Sequence, residues 1–79
     1  MVVTVSYEIV AKIGVISTDD RGNTTEVNII NWHNTKDKLD IRRWFNNHEK
    51  AGKGITLTVA EAKALASILT EYFGEVKND

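Results

Sequence analysis

Two short features of this sequence carry residue types that could do chemistry: a lysine between two glycines, and a pair of tryptophans. Lys53 lies between Gly52 and Gly54 in the stretch KAGKGITLT, which begins at Lys50. Glycine allows main-chain N–H groups to come close to an anion that lysine also attracts, so this stretch indicates contact with a phosphate. A mononucleotide-binding P-loop is excluded, because its longer loop runs from a strand into a helix, whereas Lys53 precedes a strand-like run.

The tryptophans, Trp32 and Trp44, fall on two predicted neighbouring strands. Because successive strand residues point to opposite faces, Trp44 shares a face with Lys38 and Arg42, and Trp32 shares one with Asn28. Aromatic rings beside cations are typical of surfaces that bind single-stranded nucleic acid, where bases stack on the rings and cations follow the phosphates; each stacked base contributes about 1–3 kcal/mol. The alternative interpretation is that both rings cover a second small core or a dimer contact.

The charge distribution also favours a localised contact surface. Residues 36–53 hold six basic and three acidic residues, a local charge of +3, whereas the rest of the chain holds four basic and eight acidic residues, a charge of −4. The overall charge of −1 argues against a generic polycation, but one basic segment lies on an otherwise acidic body. The predicted contacts with nucleic acid are Asn28, Trp32, Lys38, Arg42, Trp44, Lys50, Lys53 and Gly54.

Other polar groups are weaker candidates. Asp37 and Asp40 could form a carboxylate pair, but acids beside lysines are more often solvated or charge-balancing. His48 is predicted to be an exposed loop residue, and Arg21 a solvated turn residue. Two histidines without any cysteine favour neither a metal site nor a disulfide, and no serine stands with a histidine and an acid in a nucleophile motif. We therefore expect no catalysis, no metal and no cofactor.

Chain length predicts a single domain over residues 1–79 with a marginal core, because a chain of 79 residues hides only a little over ~60% of its unfolded surface. Oligomerisation is therefore expected. No apolar run reaches the ~20 residues needed to cross a bilayer, and the N-terminal MVVTVSYEIV lacks the basic flank and cleavage-like end of an export signal. We expect a cytoplasmic protein with no membrane partner.

The elements that must position these residues are four strands and a helix. Strands are predicted over residues 7–18, 24–33 and 38–45, followed by a loop over residues 46–54 and a short fourth strand over residues 55–58. Consecutive strands with short connections imply an antiparallel sheet. The fold class is therefore α+β, in the order β-β-β-β-α.

The helix is predicted over residues 59–73. Thr58 followed three residues later by Glu61 is a capping box, and Gly74 suits the position just beyond the last turn. Apolar residues cover more than half of the helix circumference, which is wider than one sheet face requires. The surplus predicts a homodimer, with close approach at the small residues Ala62 and Ala66. The predicted dimer interface consists of Leu65, Ile68, Leu69 and Tyr72.

The order of EIVAKIGVIST, EVNIINW, LDIRRW, HEKAGKGITLT and a helix resembles the small bacterial YdbC-like proteins, relatives of the eukaryotic transcriptional coactivator positive cofactor four. The resemblance covers roughly residues 7–73, and its specific parts are DIRRW and HEKAGKGITLT. It implies a four-stranded antiparallel sheet with a C-terminal helix, a homodimer formed largely through that helix, and sequence-tolerant binding of single-stranded DNA. Its implied role is an accessory factor in transcription or DNA maintenance.

Individual residues carry this resemblance. Arg42 and Trp44 match the family's DIR-plus-aromatic motif, Trp32 matches the tryptophan that ends the second strand, and Lys53 with Gly54 match its basic turn. Family members commonly have an aromatic and a basic residue where this chain has Asn23 and Thr25, so binding weaker than that of its relatives is expected. The choice between DNA and RNA stays open. The rival interpretation is a protein-interaction module in which the two tryptophans anchor a protein partner; an enzyme comes third.

Overall fold

The computed structural model describes residues 7–32 and 36–74, which form a four-stranded antiparallel sheet followed by one helix. Each strand pairs with its neighbour in the sequence, in the order β1-β2-β3-β4. The elements are β1 Tyr7–Thr18, β2 Thr24–Trp32, β3 Lys38–Phe45, β4 Lys50–Leu57 and α1 Val59–Phe73. The predicted α+β class and element order are confirmed. His33, the predicted last residue of β2, lies outside the described residues.

The fourth strand is longer than the sequence predicted. Residues 50–54 were expected in a loop, but they belong to β4. Lys50, Ala51 and Gly54 lie opposite β3 residues, and the two residues between Ala51 and Gly54 lie at a register shift. The turn between the two strands is confined to four residues, three of which have left-handed backbone: Asn46 (φ 52), Asn47 (φ 56) and His48 (φ 75). Glycine is depleted in strands, so the two glycines of KAGKG made a paired segment look like a loop.

The helix begins and ends as predicted. The Glu61 backbone N–H donates to the Thr58 hydroxyl over 3.1 Å, and the Thr58 N–H donates to the Glu61 carboxylate over 2.8 Å. The hydrogen bond from the Thr58 backbone is the main reason that the pKa of Glu61 lies below its ordinary value. Gly74 closes the other end at φ 81, and its N–H donates to the Thr70 carbonyl.

The two faces of the sheet differ in composition and, unexpectedly, in burial. One face, here called the aromatic face, carries Tyr7, Trp32, Arg42 and Trp44. The opposite face, here called the aliphatic face, carries Val27, Ile29, Leu39, Ile41, Ile55 and Leu57. All of the buried residues among those described lie on the aromatic face; they are Glu26, Asn28, Ile30, Asp40 and Trp44.

Strand parity was therefore predicted correctly, but the more apolar face is not the more buried one. Leu39, Ile41 and Phe45 are only half-buried in the protomer. The helix explains why: α1 contacts only β3 and β4 among the described strands, and none of its residues is buried. The Cα radius of gyration is 14.3 Å, against roughly 12 Å for a compact chain of this length. One copy therefore covers the aliphatic face only in part.

The exposed apolar side of α1 generates the first prediction. In solution the wild type should sediment as a dimer at micromolar concentration, because Ile68 is 61% and Leu69 46% exposed in a single copy. Ile68→Glu should dissociate or unfold the protein, because it places an unpaired charge in the predicted interface at a cost of several kcal/mol.

Ser67→Glu is the matched control, since it introduces the same charge one residue away on the polar side of the helix. It should leave the sedimentation coefficient unchanged. A monomeric wild type, or an Ile68→Glu variant that remains a folded dimer, would contradict the predicted interface.

Candidate nucleic-acid interface

The aromatic face is centred on three rings that converge from distant points of the sheet. The Tyr7 ring centroid lies 5.1 Å from that of Trp32 and 5.7 Å from that of Trp44, both at tilted angles. Yet Tyr7 pairs with Trp32 at one end of β2, while Trp44 pairs with Thr24 at the other. Eight residues of strand span roughly 26 Å. The rings can meet only because the sheet curls around this face.

Irregular pairing accounts for the curl. Register shifts in β1 leave one additional residue after Ile9, after Lys12 and after Val15, and a further shift in β4 lies opposite the segment between Arg42 and Trp44. A β-bulge bends its strand and increases the local twist. With three register shifts in twelve residues, β1 is the most irregularly paired strand described, and β1 carries Tyr7.

His48 lies in the β3–β4 turn, as the prediction of a loop residue requires, but it is half-buried in this cluster rather than fully exposed. Its imidazole is stacked on the Trp44 indole, with ring centroids 4.2 Å apart and planes inclined by 9°. Trp44 is 1% exposed. Trp44 therefore offers no open ring face in the protomer, and a base could reach it only if His48 moved away. The ring that faces solvent at this position is the imidazole.

Arg42 holds the centre of the face through four contacts. Its guanidinium bonds to the buried Asp40 carboxylate through two nitrogens, Nε–Oδ1 at 2.8 Å and Nη2–Oδ2 at 2.9 Å, and its Nη1 donates to the Gly52 carbonyl over 2.9 Å. The same group lies 4.9 Å from the centroid of the Trp32 ring. Arg42 thus neutralises a buried carboxylate, ties β4 to β3 and covers one face of Trp32. These contacts make it a positioning residue.

A second buried carboxylate, Glu26, holds the histidine. The His48 Nε2 lies 2.8 Å and 2.9 Å from the two Glu26 oxygens, which also accept hydrogen bonds from Thr24 and Asn28. Burial by itself raises the pKa of Glu26. The hydrogen bonds together outweigh burial, so the pKa lies below its ordinary value. An ionised carboxylate only accepts hydrogen bonds, and therefore the His48 Nε2 carries the proton.

The glycines of KAGKG are required by contacts within the protein. A Cβ added at Gly54 would clash with the Cβ of Arg42 and would lie 2.5 Å from the Ile41 carbonyl oxygen; one added at Gly52 would lie 2.5 Å from the Phe45 ring. The prediction that Gly54 permits close approach of a ligand is therefore corrected: the close neighbour is β3. Lys53 lies beside the β4 register shift and is exposed.

The predicted contact residues occupy three places. Asn28, Trp32, Arg42 and Trp44 share the aromatic face, and Lys38 lies on the same face opposite Ile30. Gly54 is opposite Arg42. Lys53 lies in the irregular part of β4, and Lys50 pairs with Phe45 on the other parity. Among the described residues, no ion pair includes any of the lysines of residues 36–53, whereas Arg43 is bound to Asp19 at 2.8 Å.

Sequence reasoning missed Tyr7, His48 and Lys12 as members of this face. Lys12 pairs with Asn28 and therefore points to the same side of the sheet. Strand parity places Glu26 on this face with Asn28, but no role was predicted for its carboxylate. No local signal identifies Tyr7 or His48, because their positions depend on the curl of the sheet. Asn23, which replaces a family aromatic residue, is held in the β1–β2 turn by two hydrogen bonds to Asp19.

The Asp19 carboxylate organises that turn and links it to β3. Burial raises the pKa of Asp19, but hydrogen bonds from Arg43, Asn23 and Arg21 lower it to about 2. Across residues 7–32 and 36–74, no group of three or more His, Cys, Asp or Glu side chains could hold a metal ion. Within the same ranges, no helix is long and apolar enough to cross a membrane.

Comparison with known proteins identifies the family. Residues 20–68, which run from the β1–β2 turn into α1 and make up more than half of the chain, match the family described as Transcriptional Coactivator p15 (PC4). The chain belongs to the PC4 family. It is also similar to an uncharacterized protein from Treponema pallidum (strain Nichols), with 41% identity over 63 residues that cover 80% of this chain and 74% of that protein. The matched PC4 range contains Trp32, Arg42, Trp44 and Lys53.

Close packing at Gly54 generates the second prediction. Gly54→Ala should destabilise the protein by about 1–3 kcal/mol, because the new methyl group overlaps the β3 backbone. In a thermal melt this corresponds to a decrease in Tm of at least about 4 °C. Gly14→Ala is the control, because a Cβ at Gly14 meets no heavy atom within 4 Å. Equal melting temperatures for the two variants would refute the packing role of Gly54.

The Glu26 carboxylate generates a prediction about pH. Because the pKa of Glu26 is lower in the folded state than its ordinary value of 4.5, its stabilising contribution is present above that value and is lost as the pH falls through the folded-state pKa. Between about pH 6 and about pH 3, the free energy of unfolding in urea should therefore decrease more for the wild type than for Glu26→Gln.

Asp20→Asn provides the comparison, because Asp20 is exposed and makes no hydrogen bond or ion pair with other described residues. The free energy of unfolding of Asp20→Asn should depend on pH in the same way as that of the wild type. If Glu26→Gln shows the full wild-type decrease, the hydrogen-bonded carboxylate is not what stabilises the face.

Proposed function

We propose that this protein is a non-catalytic, sequence-tolerant single-stranded DNA-binding protein of the PC4 family, acting as a homodimer. Membership of a family whose fold is that of a single-stranded DNA-binding coactivator supports the proposal. The finer resemblance to YdbC-like bacterial proteins, carried by DIRRW and HEKAGKGITLT, agrees with it. An accessory role in transcription or DNA maintenance follows from the same relationship.

The observation that carries the proposal is a group of aromatic rings on one face with unpaired lysines around it. Tyr7 is 41% exposed and Trp32 is half-buried, so both offer surface to a ligand. Lys12 and Lys38 lie on the same face, and neither belongs to an ion pair among the described residues. Bases need ring surfaces and phosphates need cations, and this face supplies both without a preference for sequence.

The lysines, rather than the arginines, are the proposed phosphate contacts. Arg42 is bound to Asp40 and Gly52, and Arg43 is bound to Asp19. An arginine already paired with a carboxylate would have to lose that pair, or share it, before binding a phosphate. Within residues 7–32 and 36–74, Lys38, Lys50 and Lys53 form no ion pair, although the charge of Lys38 helps to lower the pKa of Glu61. Trp32 is the proposed stacking ring, and Arg42 holds it in place.

The dimer is proposed because one copy cannot cover its own apolar surface. Most residues of the aliphatic face are only half-buried, and Ile55 is 55% exposed. In α1, Ile68, Leu69 and Tyr72 are exposed. A second copy can cover both surfaces at once, since each copy brings an unpartnered helix and an unpartnered face. The proposed interface residues of α1 are Leu65, Ile68, Leu69 and Tyr72. The rival protein-interaction module has less support, because the buried Trp44 cannot anchor a partner.

Salt dependence tests the proposed function. A labelled single strand should bind more tightly than the duplex of the same sequence in an anisotropy titration, because stacking needs unpaired bases. Lys53→Gln should lower affinity about equally for oligo(dT) and a mixed sequence, and should flatten the plot of log affinity against log salt by roughly 0.7.

Lys63→Gln, on the polar side of α1, is the matched control for bulk charge. It should leave the slope unchanged. Equal effects of the two substitutions would remove Lys53 from the site, and equal affinity for single strands and duplex would refute the function itself. Oligo(rU) in the same titration decides between DNA and RNA.

A further inference from the structure

A cavity of about 300 Å³ lies on the aromatic face between β1 and the β3–β4 turn. Its size is at the lower end of the roughly 300–1,000 Å³ found for small-molecule sites. The lining residues come from β1, from β2 and from the turn; they are Lys12, Ile13, Gly14, Val15, Glu26, Asn28 and His48. Neither Trp32 nor Trp44, the residues predicted to stack on bases, lines this cavity.

One wall of the cavity is the His48 imidazole, which is fixed on two sides. One of its faces rests on Trp44, and its Nε2 is held by the Glu26 carboxylate. The His48 side chain nevertheless remains 35% exposed. A ring whose position is already determined by packing loses little conformational entropy when a second ring stacks on it. Its open face is therefore a prepared platform for another planar group.

The β1 wall is shaped by a bulge. Lys12 pairs with Asn28 and Gly14 with Val27, so that Ile13 is the additional residue between them. Bulges are frequent beside functional sites, where they redirect a side chain. Gly14 leaves open space, since a Cβ there would meet no atom within 4 Å. Ile13 and Val15 are 56% and 59% exposed and give this wall an apolar surface.

We propose that this cavity binds one unpaired base of the nucleic-acid strand, stacked on the open face of His48, with Lys12 at the neighbouring phosphate. The base thus extends the existing Trp44–His48 stack. The apolar wall on β1 excludes water from the other side of the base. Lys12 supplies the positive charge for the phosphate, which the buried carboxylates of this face cannot supply. The inference rests on the proposed function and assigns His48, rather than Trp44, as the residue that contacts the base.

A double-mutant cycle between the protein and the strand tests this assignment. The wild type and His48→Ala are each titrated with oligo(dT) and with an abasic strand of equal length, which retains every phosphate but lacks the bases. Replacing oligo(dT) with the abasic strand should weaken binding by the wild type at least about 5-fold more than it weakens binding by His48→Ala. This difference corresponds to the loss of one stacked base. His48→Phe keeps a ring at this position and should restore most of the difference.

Several outcomes would overturn the assignment. One is the same ratio of oligo(dT) to abasic affinity in the wild type and His48→Ala. Another is unchanged oligo(dT) affinity in His48→Ala with stronger quenching of tryptophan fluorescence, which would place the base on Trp44 itself. If the wild type fails to bind oligo(dT) at all, the proposed function is wrong as well, so the two failures can be distinguished.

A second pair of variants keeps the test valid should His48→Ala fail to fold, as judged by circular dichroism. Lys12→Gln should lower oligo(dT) affinity and flatten the salt dependence by roughly 0.7, because one phosphate contact is lost. Lys63→Gln should change neither quantity. Equal results for the two lysine variants would remove the cavity from the path of the strand.

Discussion

The curl of the sheet around its aromatic face is the constraint on which the other features of this structure depend. Because Tyr7 and Trp44 meet although they lie near opposite ends of β2, the strands must bend, and the register shifts of β1 and β4 allow this bend. The long side chains then fold over their shorter neighbours. Glu26, Asn28 and Asp40 are buried as a result, and the sheet gains its dense packing on the side that parity marked as polar.

Buried carboxylates come with this arrangement, and each is balanced by a cation or by hydrogen-bond donors. An unpaired buried charge would cost several kcal/mol, so Asp40 needs Arg42, and Glu26 needs His48 with its two neutral donors. Of these partners, Arg42 is the one that the DIR-plus-aromatic motif predicted to contact nucleic acid. Its side chain is held within the protein by Asp40 and Gly52. In the proposed complex, contact with the strand is therefore made by the lysines and by the exposed surfaces of the rings.

The opposite face and the helix are connected to the same constraint. The helix leaves the sheet after Leu57 and does not return across the aliphatic face, so that a short chain exposes apolar area on two elements at once. In the proposed dimer, the association that covers this area also stabilises the curled sheet that supports the aromatic face. Folding, dimerisation and binding would then be thermodynamically coupled. Such coupling is expected of a 79-residue member of the PC4 family with a marginal core of its own.

The sequence by itself determined the local structure of this protein. Alternation within the strands, the Thr58–Glu61 capping box and the terminal Gly74 were sufficient for the element order and nearly all boundaries, because these depend on residues a few positions apart. Only the tertiary structure decided which face is buried, that residues 50–54 belong to β4, and that Arg42 and His48 are held by Asp40 and Glu26. Those outcomes depend on how far the sheet bends, and the bend depends on bulges and on contacts between rings that are distant in the sequence.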